Sequence, residues 1–125
     1  EGMTVLITGD MSFSYDVNGL SSTYLSPRFK IIVMCNGGGG IFRFIKPTSD
    51  LPELETCFEI HRDISVEKYA DLFGLRYFEL NDEKSAAEVL SLFFAEEDRP
   101  AILAVHTPNV YNAEVLRGYF RRSRQ

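Results

Sequence analysis

The sequence Val-Leu-Ile-Thr-Gly-Asp-Met-Ser occupies residues 5–12, and Ile-Ile-Val-Met-Cys-Asn-Gly-Gly-Gly-Gly occupies residues 31–40. In each stretch an apolar run typical of a buried strand gives way to a loop with an oxygen-bearing side chain, Asp10 or Asn36. These two residues are 26 positions apart, which leaves room for a strand, a crossover helix and a second strand. Because such crossovers are right-handed and return the chain parallel, we expect both loops at one edge of a parallel sheet.

The residue types in the two loops indicate a site for a divalent cation and a phosphorylated cofactor. Ligands of open α/β sheets bind outside the carboxyl ends of the strands. Mg²⁺ prefers octahedral oxygen ligands and is usually held by one or two protein carboxylates together with phosphate oxygens. We therefore predict Asp10, Asn36 and the Gly38 carbonyl as metal ligands, and consecutive glycines allow the backbone to approach an anion closely.

The glycine run differs from the commoner phosphate-binding motifs. No Lys-Ser or Lys-Thr follows it as in a P-loop, and it lacks the G-x-G-x-x-G spacing of a dinucleotide fingerprint. A flexible turn with an unrelated acid upstream is the structural alternative for either loop taken alone.

Strand-like and helix-like segments alternate along the chain. The pattern predicts strands at 4–8, 29–34, 76–80 and 101–105, and helices at 14–25, 66–73, 83–95 and 113–122. A helical turn is expected at 42–45 and an irregular excursion at 46–55. For the helix at 66–73, Ser65 is the predicted N-cap and Gly74 the predicted C-terminal stop. The prediction is an α/β fold: a three-layer, doubly wound, mostly parallel sheet with helices on both faces.

Composition narrows the class of protein. The 125 residues suit one domain, and 45% hydrophobic residues can form a core. A formal net charge of −5 argues against nucleic acid as a partner, and no apolar run is long enough to span a membrane. Cys35 and Cys57 have neither the spacing of a zinc site nor that of a disulfide framework. We therefore expect both cysteines to be small, buried, apolar side chains, and the protein to work in the reducing cytoplasm.

The two loops resemble the metal-and-diphosphate motif of thiamine-diphosphate-dependent enzymes, which runs from Gly-Asp-Gly to Asn-Asn at a similar separation. The segments 9–13, 16–20 and 36–42 are similar to the menaquinone-biosynthesis branch of that family, which makes 2-succinyl-5-enolpyruvyl-6-hydroxy-3-cyclohexene-1-carboxylate. The resemblance continues through Thr107-Pro108 and Asn112 to the segment 115–120, and so covers nearly the whole chain.

The resemblance implies a role for each matching residue. The metal, Mg²⁺ or Mn²⁺, would be bound by Asp10, Asn36 and the Gly38 carbonyl. The diphosphate would meet mainly backbone N–H groups of Gly9, Met11 and Ser12, and the cavity near the cofactor would be lined by Ile41 and Phe42. Two residues depart from the pattern: Met11 replaces the last Gly of the first motif, and Cys35 replaces the first Asn of the second.

The resemblance also implies what the whole enzyme does. Residues 1–125 would be the C-terminal diphosphate- and metal-binding domain of a larger transferase, truncated at its N-terminus. That enzyme would decarboxylate 2-oxoglutarate and add the succinyl carbanion to isochorismate, working as a homodimer or homotetramer. No catalytic residue is expected in this chain, and the isolated fragment is expected to be inactive.

Three alternatives remain open from the sequence. The first is another thiamine-diphosphate-dependent 2-oxo-acid decarboxylase or carboligase. The second is a non-catalytic α/β module that keeps the fold without the chemistry. The third is a flavodoxin-like phosphate-binding domain, which would bind a flavin or a nucleotide.

Overall fold

The structure, a computed structural model, describes residues 2–59, 61–95 and 98–122. The chain divides into two compact units, the first made of residues 1–35 and 64–106 and the second of residues 36–63 and 107–125. The assignment of residues 1–125 to a single C-terminal domain stays a prediction. None of the described helices is long and apolar enough to cross a membrane.

The first unit is built on a parallel sheet. Its strands are β1 (Thr4–Gly9), β2 (Phe29–Cys35), β3 (Arg76–Leu80) and β4 (Ala101–His106), in the spatial order β1-β2-β4-β3. Every neighbouring pair is parallel. The first four residues of β4 are buried on both faces, as expected for the inner strand of a parallel sheet. The predicted α/β class is therefore confirmed.

Helices cover both faces of this sheet. On one face, alternate residues of β2 and β4 pack with α1 (Asp10–Asp16) and α4 (Val66–Phe73). On the other face, Ala101 and Leu103 of β4 pack with the fully buried Phe93 of α5 (Ala86–Phe94). Side chains of a strand alternate between faces, so both cores come from the same two strands. The first unit therefore has the predicted three layers.

Local signals set the bounds of α4. The Ser65 hydroxyl accepts a hydrogen bond of 3.3 Å from the Lys68 N–H, which satisfies one free donor of the first turn. Gly74 follows the helix with φ +70°, the left-handed conformation in which glycine commonly ends helices. The helix bounds predicted from the sequence, with both caps, are confirmed.

The predicted helix at 14–25 is wrong in its bounds. The helix α1 begins earlier, at Asp10 directly after β1, and ends at Asp16. A 3₁₀ turn at Val17–Ser21 follows it. Asn18 and Gly19 have low helix propensity, so the chain tightens into a short 3₁₀ turn instead of continuing the helix.

The second unit contains α2 (Ile41–Phe44), α3 (Lys46–Ser49), a π-helical turn at Leu54–Glu59 and α6 (Asn109–Arg122). The predicted irregular excursion at 46–55 is therefore partly helical. The start of α6 lies four residues before the predicted one, because Pro108 stands at the helix start, where its missing N–H costs nothing. Its carbonyl accepts the Asn112 N–H at 3.0 Å.

Candidate functional site

Asp10 is a buried acid at the carboxyl edge of the sheet. Only 3% of its surface is exposed, and it follows Gly9, the last residue of β1. Gly9 pairs in register with Met34 of β2, so the two strands end side by side. The Asp10 carboxylate accepts a hydrogen bond of 2.7 Å from the Met11 N–H. The predicted placement of this acid at the carboxyl end of a parallel strand is confirmed.

Cys35 ends β2 beside this acid. Burial raises the pKa of its thiol to about 11, with further contributions from the negative charges of Asp10 and Glu79. The thiol is therefore protonated at neutral pH and does not repel the Asp10 carboxylate. Cys35 is half-buried, whereas Cys57 is exposed, so the expectation that both cysteines are buried is wrong for Cys57.

The residues predicted to meet the diphosphate surround Asp10 at the first turn of α1. Gly9 and Ser12 are exposed and Met11 is half-buried. The Met11 carbonyl accepts a hydrogen bond of 2.9 Å from the Ser14 hydroxyl. A Cβ at Gly9 would meet no atom within 4 Å, so the backbone at this position is open to a ligand. Diphosphate binding by these three residues stays a prediction.

The glycine loop, residues 37–40, belongs to the second unit and is closely packed. Gly37 has φ +80°, and a Cβ there would lie 2.5 Å from the His61 ring. At Gly39 a Cβ would lie 2.8 Å from the Phe58 carbonyl oxygen, and the Gly39 N–H donates to the Glu59 carbonyl at 2.7 Å. A side chain at Gly37 or Gly39 would therefore meet neighbouring atoms.

A hydrogen bond connects two predicted metal ligands, Asn36 just before the glycine loop and Gly38 within it. The Gly38 N–H donates to the Asn36 side-chain oxygen at 3.3 Å, and the Gly38 carbonyl accepts the Gly40 N–H at 2.9 Å. Asp10 belongs to the first unit and these two residues to the second. Joint binding of one metal ion by the three residues therefore stays a prediction.

Two observations in the second unit fit a metal-binding loop. The buried Oδ1 of Asn109 accepts no hydrogen bond from the described part of the chain. A Cβ at Gly40 would collide with that oxygen and would lie 2.8 Å from Asn36 Nδ2, so the missing side chain leaves a cradle for polar atoms. No cluster of three His, Cys, Asp or Glu residues suited to a metal occurs among the described residues. The predicted donor set has one carboxylate, one amide oxygen and one carbonyl, which is hard oxygen chemistry suited to Mg²⁺.

Ile41 and Phe42 follow the glycine loop at the start of α2. Ile41 is 63% exposed and offers free apolar surface, whereas Phe42 is half-buried with its ring centroid 5.5 Å from that of Phe58. Their contact with a cofactor cavity stays a prediction.

An ion pair connects Arg43 of α2 with Glu59 of the π-helical turn. Arg43 donates to both carboxylate oxygens of Glu59, from Nε at 2.7 Å and from Nη2 at 2.6 Å, and also to the exposed Glu55 at 2.9 Å. Arg117 of α6 donates through Nη2 to the Arg43 carbonyl at 2.5 Å. Arg117 therefore links α6 to α2.

Glu79 is a charged residue near Cys35 that the sequence did not single out. Glu79 of β3 lies 3.0 Å from Nε2 of His106, the last residue of β4, and its charge acts on Cys35. Burial raises the pKa of Tyr77 to about 12, with Glu79 adding to the shift. The alternation of β3 puts Tyr77 and Glu79 on one face, but their proximity to Cys35 depends on strand order, which the sequence does not show.

The fold and these loops define an α/β domain of the class whose ligand-binding loops follow the carboxyl ends of parallel strands. No family model matches the chain. Curated relatives do match it, and each of those described next is named 2-succinyl-5-enolpyruvyl-6-hydroxy-3-cyclohexene-1-carboxylate synthase.

The relative from Porphyromonas gingivalis is 49% identical over 119 residues, which is 95% of this chain. The relative from Flavobacterium johnsoniae is 40% identical over 94% of the chain, and that from Christiangramia forsetii is 36% identical over 96%. The chain spans about a fifth of the length of these relatives, 21% in each case. Over the segment that it covers, the chain is similar to these synthases, which confirms the family resemblance of its motifs.

Proposed function

We propose that this chain is the diphosphate- and Mg²⁺-binding part of a thiamine-diphosphate-dependent synthase of menaquinone biosynthesis. The whole enzyme would decarboxylate 2-oxoglutarate and add the resulting succinyl group to isochorismate. The observation that carries the proposal is 49% identity over 95% of the chain to a synthase of that name. The buried Asp10 at the carboxyl end of β1, where the motif puts the metal ligand, supports it.

In this proposal the residues of the chain bind and orient the cofactor and do not react. Thiamine diphosphate, when bound, supplies the chemistry for removing CO₂ from a 2-oxo acid and forming the new C–C bond. Asp10, Asn36 and the Gly38 carbonyl would hold Mg²⁺ or Mn²⁺, and the N–H groups of Gly9, Met11 and Ser12 would meet the diphosphate. Ile41 would present its exposed apolar surface to the cavity, and Phe42 would complete the wall.

Positioning is a sufficient role for such residues. Misplacing reacting atoms by about 1 Å can cost ~10²-fold in rate, so the geometry of the diphosphate and metal controls the chemistry at a distance. The Asp10 side chain is buried, and one of its carboxylate oxygens accepts a hydrogen bond from the Met11 N–H. Both features favour a single orientation of the carboxylate. Burial raises the pKa of the neighbouring Cys35 thiol to about 11, so this thiol adds no negative charge beside Asp10 at neutral pH.

The assembly and setting complete the proposal. We propose a homodimer or homotetramer in the cytoplasm, with 2-oxoglutarate and isochorismate as substrates. Light scattering of the full-length protein tests the oligomer. A monomeric full-length protein that turns over both substrates at the full rate would contradict the proposed oligomeric state.

Asp10→Ala in the full-length protein tests the metal site. We expect turnover of 2-oxoglutarate with isochorismate to fall at least ~10²-fold without rescue by excess Mg²⁺, because the variant loses the carboxylate that binds the ion. Asp16→Ala is the matched control, since Asp16 is an exposed acid at the other end of the same helix. Near-normal rates in Asp10→Ala at modest Mg²⁺ would refute the ligand assignment.

Substrate comparison separates the proposal from its nearest rival. The full-length wild-type protein is assayed with 2-oxoglutarate and isochorismate, and separately with pyruvate alone. Product from pyruvate alone, with none from the first pair, would favour another decarboxylase or carboligase. Calorimetry with thiamine diphosphate and Mg²⁺ tests the non-catalytic alternative, which predicts no binding.

A further inference from the structure

Asn109 begins α6 and carries a buried side-chain oxygen, Oδ1. Its Oδ1 accepts nothing from the residues that the structure describes. Leaving a buried acceptor unpaired is costly, so native structures nearly always give such an atom a partner in the functional state. The position of Asn109 beside the glycine loop indicates which partner that is.

Gly40 brings two side-chain amides together. A Cβ built at Gly40 would overlap Asn109 Oδ1 and would lie 2.8 Å from Asn36 Nδ2. Both atoms therefore lie against residue 40, where a side chain would collide with them. One of these atoms is an acceptor and the other is a donor, so they are complementary in hydrogen bonding.

An asparagine that binds a cation must present its oxygen and turn its NH₂ group away. The two ends of the amide have nearly the same shape, so sterics alone do not fix the orientation. A hydrogen-bond acceptor at the NH₂ end does fix it, as partners beyond the ligands do in metal sites generally. In the present structure the Asn36 side-chain oxygen accepts a hydrogen bond of 3.3 Å from the Gly38 N–H.

We propose that Asn109 is a positioning residue for the metal: its Oδ1 accepts a hydrogen bond from Asn36 Nδ2 and turns the Asn36 oxygen toward the cation. This inference rests on the proposed function, in which Asn36 is a metal ligand. It gives α6 a part in metal binding through a residue that does not touch the ion.

The test measures metal affinity in the full-length protein with thiamine diphosphate present. Mn²⁺ is the probe, because the electron paramagnetic resonance signal of free Mn²⁺ reports the bound fraction. Asn109→Leu removes the acceptor, and we expect it to weaken Mn²⁺ binding at least tenfold, within the ~10–100-fold range for such partners. Asn109→Asp keeps an acceptor oxygen and should bind Mn²⁺ no more than threefold more weakly than the wild type.

Asn112→Ala is the matched control. Asn112 lies in the same helix and donates through Nδ2 to Thr107 Oγ1 at 2.9 Å. Its loss removes a hydrogen bond near the helix start without touching Gly40, so Mn²⁺ affinity should stay within twofold of the wild type. An equal loss of affinity in this control would show a general effect of α6 stability and would overturn the inference.

The remaining outcomes are also decisive. A folded Asn109→Leu protein that binds Mn²⁺ within twofold of the wild type overturns the proposal, as does an Asn109→Asp protein that loses as much as Asn109→Leu. If Asn109→Leu fails to unfold cooperatively, Asn109→Ala replaces it with the same expectation. If neither folds, Asn109 serves folding and the positioning role is rejected.

Asn36→Ala separates this inference from the proposed function. Mn²⁺ binding that survives Asn36→Ala refutes Asn36 as a ligand, and the proposed metal site fails with it. Mn²⁺ binding that is lost in Asn36→Ala but kept in Asn109→Leu leaves the site intact and rejects only the role of Asn109.

Discussion

Arg43→Met should loosen the glycine loop by leaving a buried carboxylate without its partner. Arg43 makes two charge-assisted hydrogen bonds to Glu59, at 2.7 and 2.6 Å, and the Glu59 side chain is only 9% exposed. Removing one member of a buried pair costs about 3–5 kcal/mol. Because 19% of the Arg43 side chain remains exposed, we expect the lower end, about 3 kcal/mol.

Hydrogen exchange of the loop measures this cost. The Glu59 carbonyl accepts the Gly39 N–H at 2.7 Å, so displacement of Glu59 frees that amide. When local opening controls exchange, about 3 kcal/mol corresponds to a roughly 100-fold faster rate. Mass spectrometry of a peptide covering residues 37–45 in the full-length protein would follow it.

Two variants control for charge and packing. Glu55→Gln changes the other partner of Arg43. The Glu55 side chain is 75% exposed, so the variant should cost at most about 1 kcal/mol, or roughly fivefold in exchange rate. The double variant Arg43→Met with Glu59→Leu replaces the pair by apolar groups and should restore the rate to within about fivefold of wild type. The reasoning is refuted if Arg43→Met accelerates exchange no more than Glu55→Gln does.

Two further predictions concern backbone conformation and the thiol beside the acid. Gly74→Ala should cost about 1 kcal/mol in urea unfolding, because φ is +70° with open space around it. Gly37→Ala should cost a similar amount, since φ is +80° and the exposed His61 ring, 2.5 Å from the added Cβ, can move aside; no loss of stability at either position would contradict the structure. Alkylation of Cys35 at pH 8 should be about 100-fold slower in the folded protein than in urea, because folding raises its pKa from 9.0 to about 11. The contribution of the Cys35 thiol to the free energy of unfolding should be complete below pH 9 and fall as the pH rises toward 11. Equal alkylation rates in the folded protein and in urea would disprove the pKa shift.

Short-range patterns in the sequence were enough for the class of fold. Apolar runs of strand length separated by helix-length segments predicted the parallel sheet with helices on both faces, because hydrophobic periodicity is a local property. The bounds of α4 were equally local, since Ser65 and Gly74 act on the turns next to them. The start of α6 was predicted four residues late, although Pro108 precedes its first residue.

The candidate site divides in the same way. The sequence by itself determined that Asp10 and Asn36 follow strand-like runs, since a strand and the loop after it are neighbours along the chain. Only the tertiary structure placed β4 between β2 and β3, the Glu79 charge near Cys35, and Asn109 against Gly40, which is 69 positions earlier. Such contacts are selected by the packing of whole elements against one another. No residue pattern local to either partner encodes them.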